Sequence, residues 1–90
     1  MTRSEMLAAA HKCVCGDREQ DYGSPEHSLA KIAELWSVYC GVVLTAKDAA
    51  AMMALFKIAR ICTGHAKEDN WVDLAGYAAC GCEIETEGQT

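Results

Sequence analysis

The ninety residues hold a single proline, at position 25, one phenylalanine, and no stretch of about 18 apolar residues such as a membrane-spanning helix needs. The scarcity of proline and of low-complexity sequence argues against a linker or a disordered segment, and the 51% apolar content places the chain among globular domains. Basic residues are also short, eight against thirteen acids for a formal charge of −5, so the broad basic face that duplex nucleic acid demands is not expected. The first residues carry charge where a secretory leader would be apolar. The expectation is a soluble protein of the cytoplasm with no membrane partner.

Cysteine is abundant, with six in the chain, but the two-residue spacer of zinc knuckles and ribbons is missing. Cys13-Val-Cys15 and Cys80-Gly-Cys82 place their thiols two residues apart, which on a helix point about 200° away from each other. The six therefore read as small buried thiols in a reducing compartment, with no metal bound. His11, His27 and His65 are scattered without partners at metal-ligand spacing. No serine or cysteine sits in a glycine-rich elbow, so a nucleophilic triad finds no support.

What is present is helical. Thr2 with Glu5 forms a capping box ahead of Met6, Leu7, Ala10 and Val14, predicting a helix over 3–15 that Gly16 stops. Ser24-Pro25 opens a second over 25–40 with the stripe Leu29, Ile32, Ala33, Trp36, Tyr39, Cys40, and Gly41 closes it. Thr45 and Asp48 open a third over 46–62, and a fourth covers about 68–84 before an acidic tail. The fold expected is all-α, a compact bundle of four helices in one domain over residues 1–90. So short a chain buries only about 60–65% of its unfolded surface, which makes a homo-oligomer the expected state.

Inside the third helix every residue from Ala49 to Cys62 is apolar except Lys57 and Arg60. A helix apolar all round is normally central, so both cations should sit near packed surfaces on a common face. Burying either without a partner would cost several kcal/mol, so each needs a carboxylate, a phosphate or a way out to solvent. Asp69, Asp73 and Tyr77 form a row on the fourth helix that a short connection could bring against them. Two readings follow. Either Asp48, Asp69 or Asp73 closes internal salt bridges, or the acids orient cations that grip phosphate, with arginine supplying a bidentate fork. The loop residues Arg18, Asp21, Tyr22 and Gly23 combine charge, an aromatic ring and close backbone approach, a set that could stack a base or simply seal the bundle's end. Trp36 and Trp71 read as core or interface anchors, with base stacking as the second reading. Acids for a catalytic magnesium are incomplete: Asp69 and Asp73 make one pair, and Asp48 stands alone.

The order Arg18…Asp21-Tyr22-Gly23, Ile32-Ala-Glu-Leu-Trp36, Asp48…Lys57-Ile-Ala-Arg60, Gly64 and Asp69-Asn70…Asp73-Leu-Ala-Gly-Tyr77 resembles a family of small phage and prophage proteins of unassigned function. It is also similar to the nucleotide-modification-associated helical domain and, more distantly, to MazG-like nucleotide pyrophosphohydrolases. The resemblance covers residues 12 to 82 and implies a phage-associated helical protein that handles nucleotides in the cytoplasm of an infected bacterium. The function expected is non-catalytic binding of a phosphate-bearing nucleotide, as in sequestration of a bacterial immune signal, with no cofactor. The binding set expected is Arg18, Tyr22, Trp36, Lys57, Arg60, Asp69, Asn70, Asp73 and Tyr77. The enzymatic alternative is a magnesium-dependent pyrophosphohydrolase using Asp48, Asp69 and Asp73.

Overall fold

Two Thr-x-x-acid sequences each satisfy free backbone donors at a helix start, and both helices form where those boxes stand. A computed structural model describes residues 1–17, 25–64 and 67–87 of the chain. Helix α1 runs Arg3–Lys12: Thr2 Oγ1 accepts from the Glu5 amide at 3.1 Å, and Glu5 Oε1 accepts from the Thr2 amide at 2.7 Å. Its α geometry ends earlier than the expected residue 15, giving way to one wide π-helical turn over Cys13–Asp17. That turn carries Val14 against Gly76, where an added Cβ would lie 3.0 Å from Val14 Cγ1.

Helix α2, Pro25–Cys40, begins on the proline, while the expected cap Ser24 lies outside the described residues. Gly41, at φ +73°, turns the chain out of it. Helix α3 is Ala46–Cys62, and its box has one bond more than that of α1, because Asp48 Oδ2 accepts from both the amide (2.9 Å) and the hydroxyl (3.1 Å) of Thr45 while Thr45 Oγ1 accepts from the Asp48 amide at 3.4 Å. Helix α4, Glu68–Thr86, runs two residues beyond the expected end, and Thr86 Oγ1 donates to the Cys82 carbonyl at 2.8 Å. The fold is all-α among the described residues, and none of these helices is long and apolar enough to cross a membrane.

Helices α3 and α4 form an antiparallel hairpin. Ala50 faces Gly81, where a Cβ would come within 3.3 Å, and Lys47 Nζ meets Glu85 Oε1 at 3.6 Å near one end. Helix α2 lies along α3 and α1 along α4. The core joins Leu29 and Ala33 of α2, Ala46, Ala49 and Ala50 of α3, and Ile84 of α4, bordered by Ile32, Trp36, Leu44, Tyr77 and Cys80. Five of the eight buried apolar side chains among the described residues are alanines, and Ile84 is the one large side chain buried completely there.

Three expectations change as a result. Helix α3 is not enclosed on all sides, because α2 and α4 leave one face open and Leu55, Phe56 and Ile58 are exposed there. Tyr39 and Cys40 leave the inner stripe of α2 and face outward. Of the six free thiols, Cys15, Cys40, Cys62 and Cys82 are exposed, so the small core is built from alanine and not from cysteine.

The Thr45 cap generates the first prediction. Replacing Thr45 with alanine should cost about 1 kcal/mol, read as a lower urea midpoint at unchanged slope. Hydrogen bonds from the Thr45 amide and hydroxyl hold the Asp48 carboxyl below its usual pKa. Its contribution is therefore complete above the ordinary aspartate value of about 3.9 and is lost as pH falls through the lowered one. The stability gap between the wild type and Asp48→Ala should accordingly narrow on acidification; a gap that widens would contradict this assignment.

Candidate functional site

Along α3 the face that meets α4 is marked by Ala46, Ala49, Ala50, Met53, Lys57 and Arg60, at helical spacing. Alanine fills the half that lies in the core, and the two cations continue the row toward the other end of the hairpin. There the antiparallel course sets them against Asp73 and Asn70, also three residues apart. Lys57 Nζ lies 2.9 Å from Asp73 Oδ2, with the lysine side chain 16% and the aspartate 35% exposed. Arg60 Nε donates to Asn70 Oδ1 at 3.2 Å.

These two contacts differ in kind. The lysine charge is matched by a carboxylate in a partly buried setting, which is the internal salt bridge that the residue pattern offered. Arginine instead receives a neutral amide. Asn70, 4% exposed, is the single buried polar side chain among the described residues, and it accepts from Arg60. A guanidinium carries five N–H donors, and among the described residues only Nε–H is engaged. The other four remain on an exposed side chain.

An aromatic ring completes the cluster. Phe56 is half exposed, with Lys57 Nζ 5.6 Å and the Arg60 guanidinium carbon 5.9 Å from its ring centre. That range permits attraction between each cation and the ring. Sequence reasoning missed Phe56 because it was counted with the apolar run. The signal available was its position four residues before Arg60, which puts both on one side of α3.

The remaining sequence-predicted residues lie elsewhere. Trp36 and Tyr77 are partly buried against the core cluster. Asp69 is exposed at the start of α4, apart from both cation contacts. Asp48 is engaged by Thr45, nine residues and so about 14 Å of helix from the level of Lys57. Arg18 and Tyr22 lie outside the described residues. Among the described residues no three His, Cys, Asp or Glu side chains converge as a metal site would require.

Comparison with known proteins gives a consistent family result. A family model described as Domain of unknown function (DUF6378) matches residues 5–85. The Gene 55 protein of Mycobacterium phage L5 is 43% identical over 74 residues, covering 81% of this chain and 47% of that protein. The Gene 55 protein of Mycobacterium phage D29 is 36% identical over 75 residues, covering 83% of this chain and 50% of the other. The chain thus spans about half the length of these relatives. No solved structure matches.

The Lys57–Asp73 contact yields a stability prediction. Asp73→Ala leaves a partly buried ammonium without its carboxylate and should cost on the order of 1–2 kcal/mol. The double variant Lys57→Met/Asp73→Leu should regain most of that loss, since an apolar pair of similar size removes both desolvation terms. Chemical denaturation of the wild type, Asp73→Ala and the double variant checks it; a double variant no more stable than Asp73→Ala would contradict the pairing.

Proposed function

The chain belongs to the DUF6378 family, and from the geometry of its α3–α4 face we propose that it binds a small phosphate-bearing ligand of the nucleotide class without turning it over. The observation that carries this reading is Arg60: its Nε is held by the buried Asn70 while its terminal nitrogens stay on an exposed face beside Phe56. A guanidinium fixed at one edge loses little freedom on binding, and its two terminal N–H groups match two oxygens of a phosphate.

Roles follow from the positions. Arg60 takes the phosphate, and Lys57 adds local positive potential while its pairing with Asp73 sets where that charge sits. Phe56 offers a face on which a base could stack. Asp69, one residue from Asn70, is available for a ribose hydroxyl; Arg18 and Tyr22, outside the described residues, belong to the proposed binding set on their chemistry alone. Turnover is not part of the proposal, because two of the acids it would need are already engaged, Asp48 by Thr45 and Asp73 by Lys57. The relatives encoded by phages make a host nucleotide signal, held and so withdrawn from use, the ligand source that fits such binding.

The test is release of bound ligand. The protein is incubated with a panel of mononucleotides and cyclic nucleotides, with and without magnesium, freed of unbound material, denatured, and the supernatant analysed by mass spectrometry. Intact nucleotide should be recovered from the wild type, with at least tenfold less from Arg60→Ala and an intermediate amount from Arg60→Lys, whose ammonium cannot form the fork. Retention of nothing in the panel, or full retention by Arg60→Ala, overturns the proposal. Magnesium-dependent release of pyrophosphate would replace binding with hydrolysis.

A further inference from the structure

We propose that the exposed apolar face at the C-terminal end of α2 and the turn after it is the surface on which a second copy of this chain docks. Leu35, Val38 and Tyr39 project from the outer side of α2, and Val42 and Val43 follow past the helix end. Val38 is 82% exposed, Tyr39 93% and Val43 90%, values close to those of an isolated residue. Residues 35–46 contain no charged side chain at all. Depletion of charge around aromatic and aliphatic side chains is the compositional mark of an interface centre. The five side chains together present on the order of 600 Å² of apolar surface, at the upper end for a monomer and approaching the ~800 Å² that one partner gives a small stable interface.

Two features select a second copy as the occupant. The first is self-compatibility: with no charged side chain between residues 35 and 46, two copies of a chain of formal charge −5 meet here without setting like charges against one another, and a twofold axis through Val38 and Tyr39 brings the same apolar side chains of both copies together. A closed dimer needs such a self-complementary patch. The second is rigidity of the turn. Ser37 Oγ donates to the Ala33 carbonyl at 2.7 Å and accepts from the Leu44 amide at 2.8 Å, which fastens the far end of the turn to the helix. Val42 and Val43 are thus held outward before any partner arrives, which lowers the entropic cost of docking.

The other exposed apolar group, Leu55, Phe56 and Ile58, does not compete for this role. Lys57 and Arg60 interleave with it, and covering it would strip water from a guanidinium that lacks a carboxylate. The dimer surface and the α3–α4 cluster are separate, so this inference stands without the ligand proposal.

Light scattering after size exclusion, at protein concentrations from about 1 to 100 μM, should give the mass of a dimer at the upper end, and the thermal midpoint should rise with concentration. Val38→Glu and Tyr39→Glu should each weaken association at least tenfold and make the midpoint independent of concentration, with helical circular dichroism unchanged. Leu55→Glu should dimerise like the wild type. If either α2 variant loses helix, Val43→Lys, beyond the helix end, carries the same test. A wild type that stays monomeric at 100 μM, α2 variants that associate as tightly as the wild type, or a Leu55→Glu variant equally impaired would each overturn the proposal.

Discussion

The close approach of α3 and α4 governs the rest of the molecule. Ala46, Ala49 and Ala50 on one helix and Gly81 on the other remove the side-chain bulk that would hold two helices apart. Once those backbones are in contact, rotation of either helix is fixed, and so is the register further along. Nothing else is needed to bring Lys57 to Asp73 and Arg60 to Asn70. The cations occupy the next positions of the row that alanine occupies in the core, so the cluster is a continuation of the packing seam into a region where the helices still touch but water has begun to enter.

The same seam explains why so much apolar surface stays outside. A core made largely of alanine brings helices near one another without consuming large side chains, and Ile84 is the one large residue that it encloses fully among the described residues. Hydrophobic stabilisation scales with the apolar area removed from water, and alanine removes little of it. Leu35, Val38, Tyr39, Leu55 and Phe56, by contrast, stand on the outer faces of α2 and α3. A domain built this way has stabilising area in reserve, which it can realise only by contact with something else.

Local chemistry made much of the fold legible beforehand. The capping boxes at Thr2 and Thr45, proline at the first position of α2 and glycine after its last depend on interactions within a few residues, so sequence alone carries them. The Lys57 partner was legible as a short list of acids, since only a hairpin could join helices so briefly connected. What sequence could not supply was orientation about each helix axis. In α2 the stripe Leu29, Ile32, Ala33, Trp36 and the stripe Leu35, Val38, Tyr39 both recur at helical spacing, roughly 120° apart. Periodicity identifies both and ranks neither. Only the neighbours of α2 decide that the first is buried, and Tyr39 was assigned to the wrong stripe for that reason. In α3 nearly unbroken apolar sequence concealed the open face in the same way, and Phe56 was overlooked as part of it.

Lys57 and Arg60 show most clearly what the structure adds to a pattern of residue types. In sequence they are equivalent, two cations on one face of an apolar helix. In the fold they have separate assignments, because Asp73 neutralises the lysine whereas Asn70 orients the arginine without cancelling its charge. An amide in the buried position costs less desolvation than a carboxylate would and leaves the guanidinium with a full positive charge facing outward. Had Asp69 taken Arg60, the cluster would be electrically closed. With Asn70 there instead, the pair of contacts leaves one unit of positive charge facing solvent on a chain whose formal charge is −5. In a chain of that sign, a fixed and uncompensated cation is a local departure from the overall field, and it is that departure on which the proposal of a phosphate-bearing ligand rests.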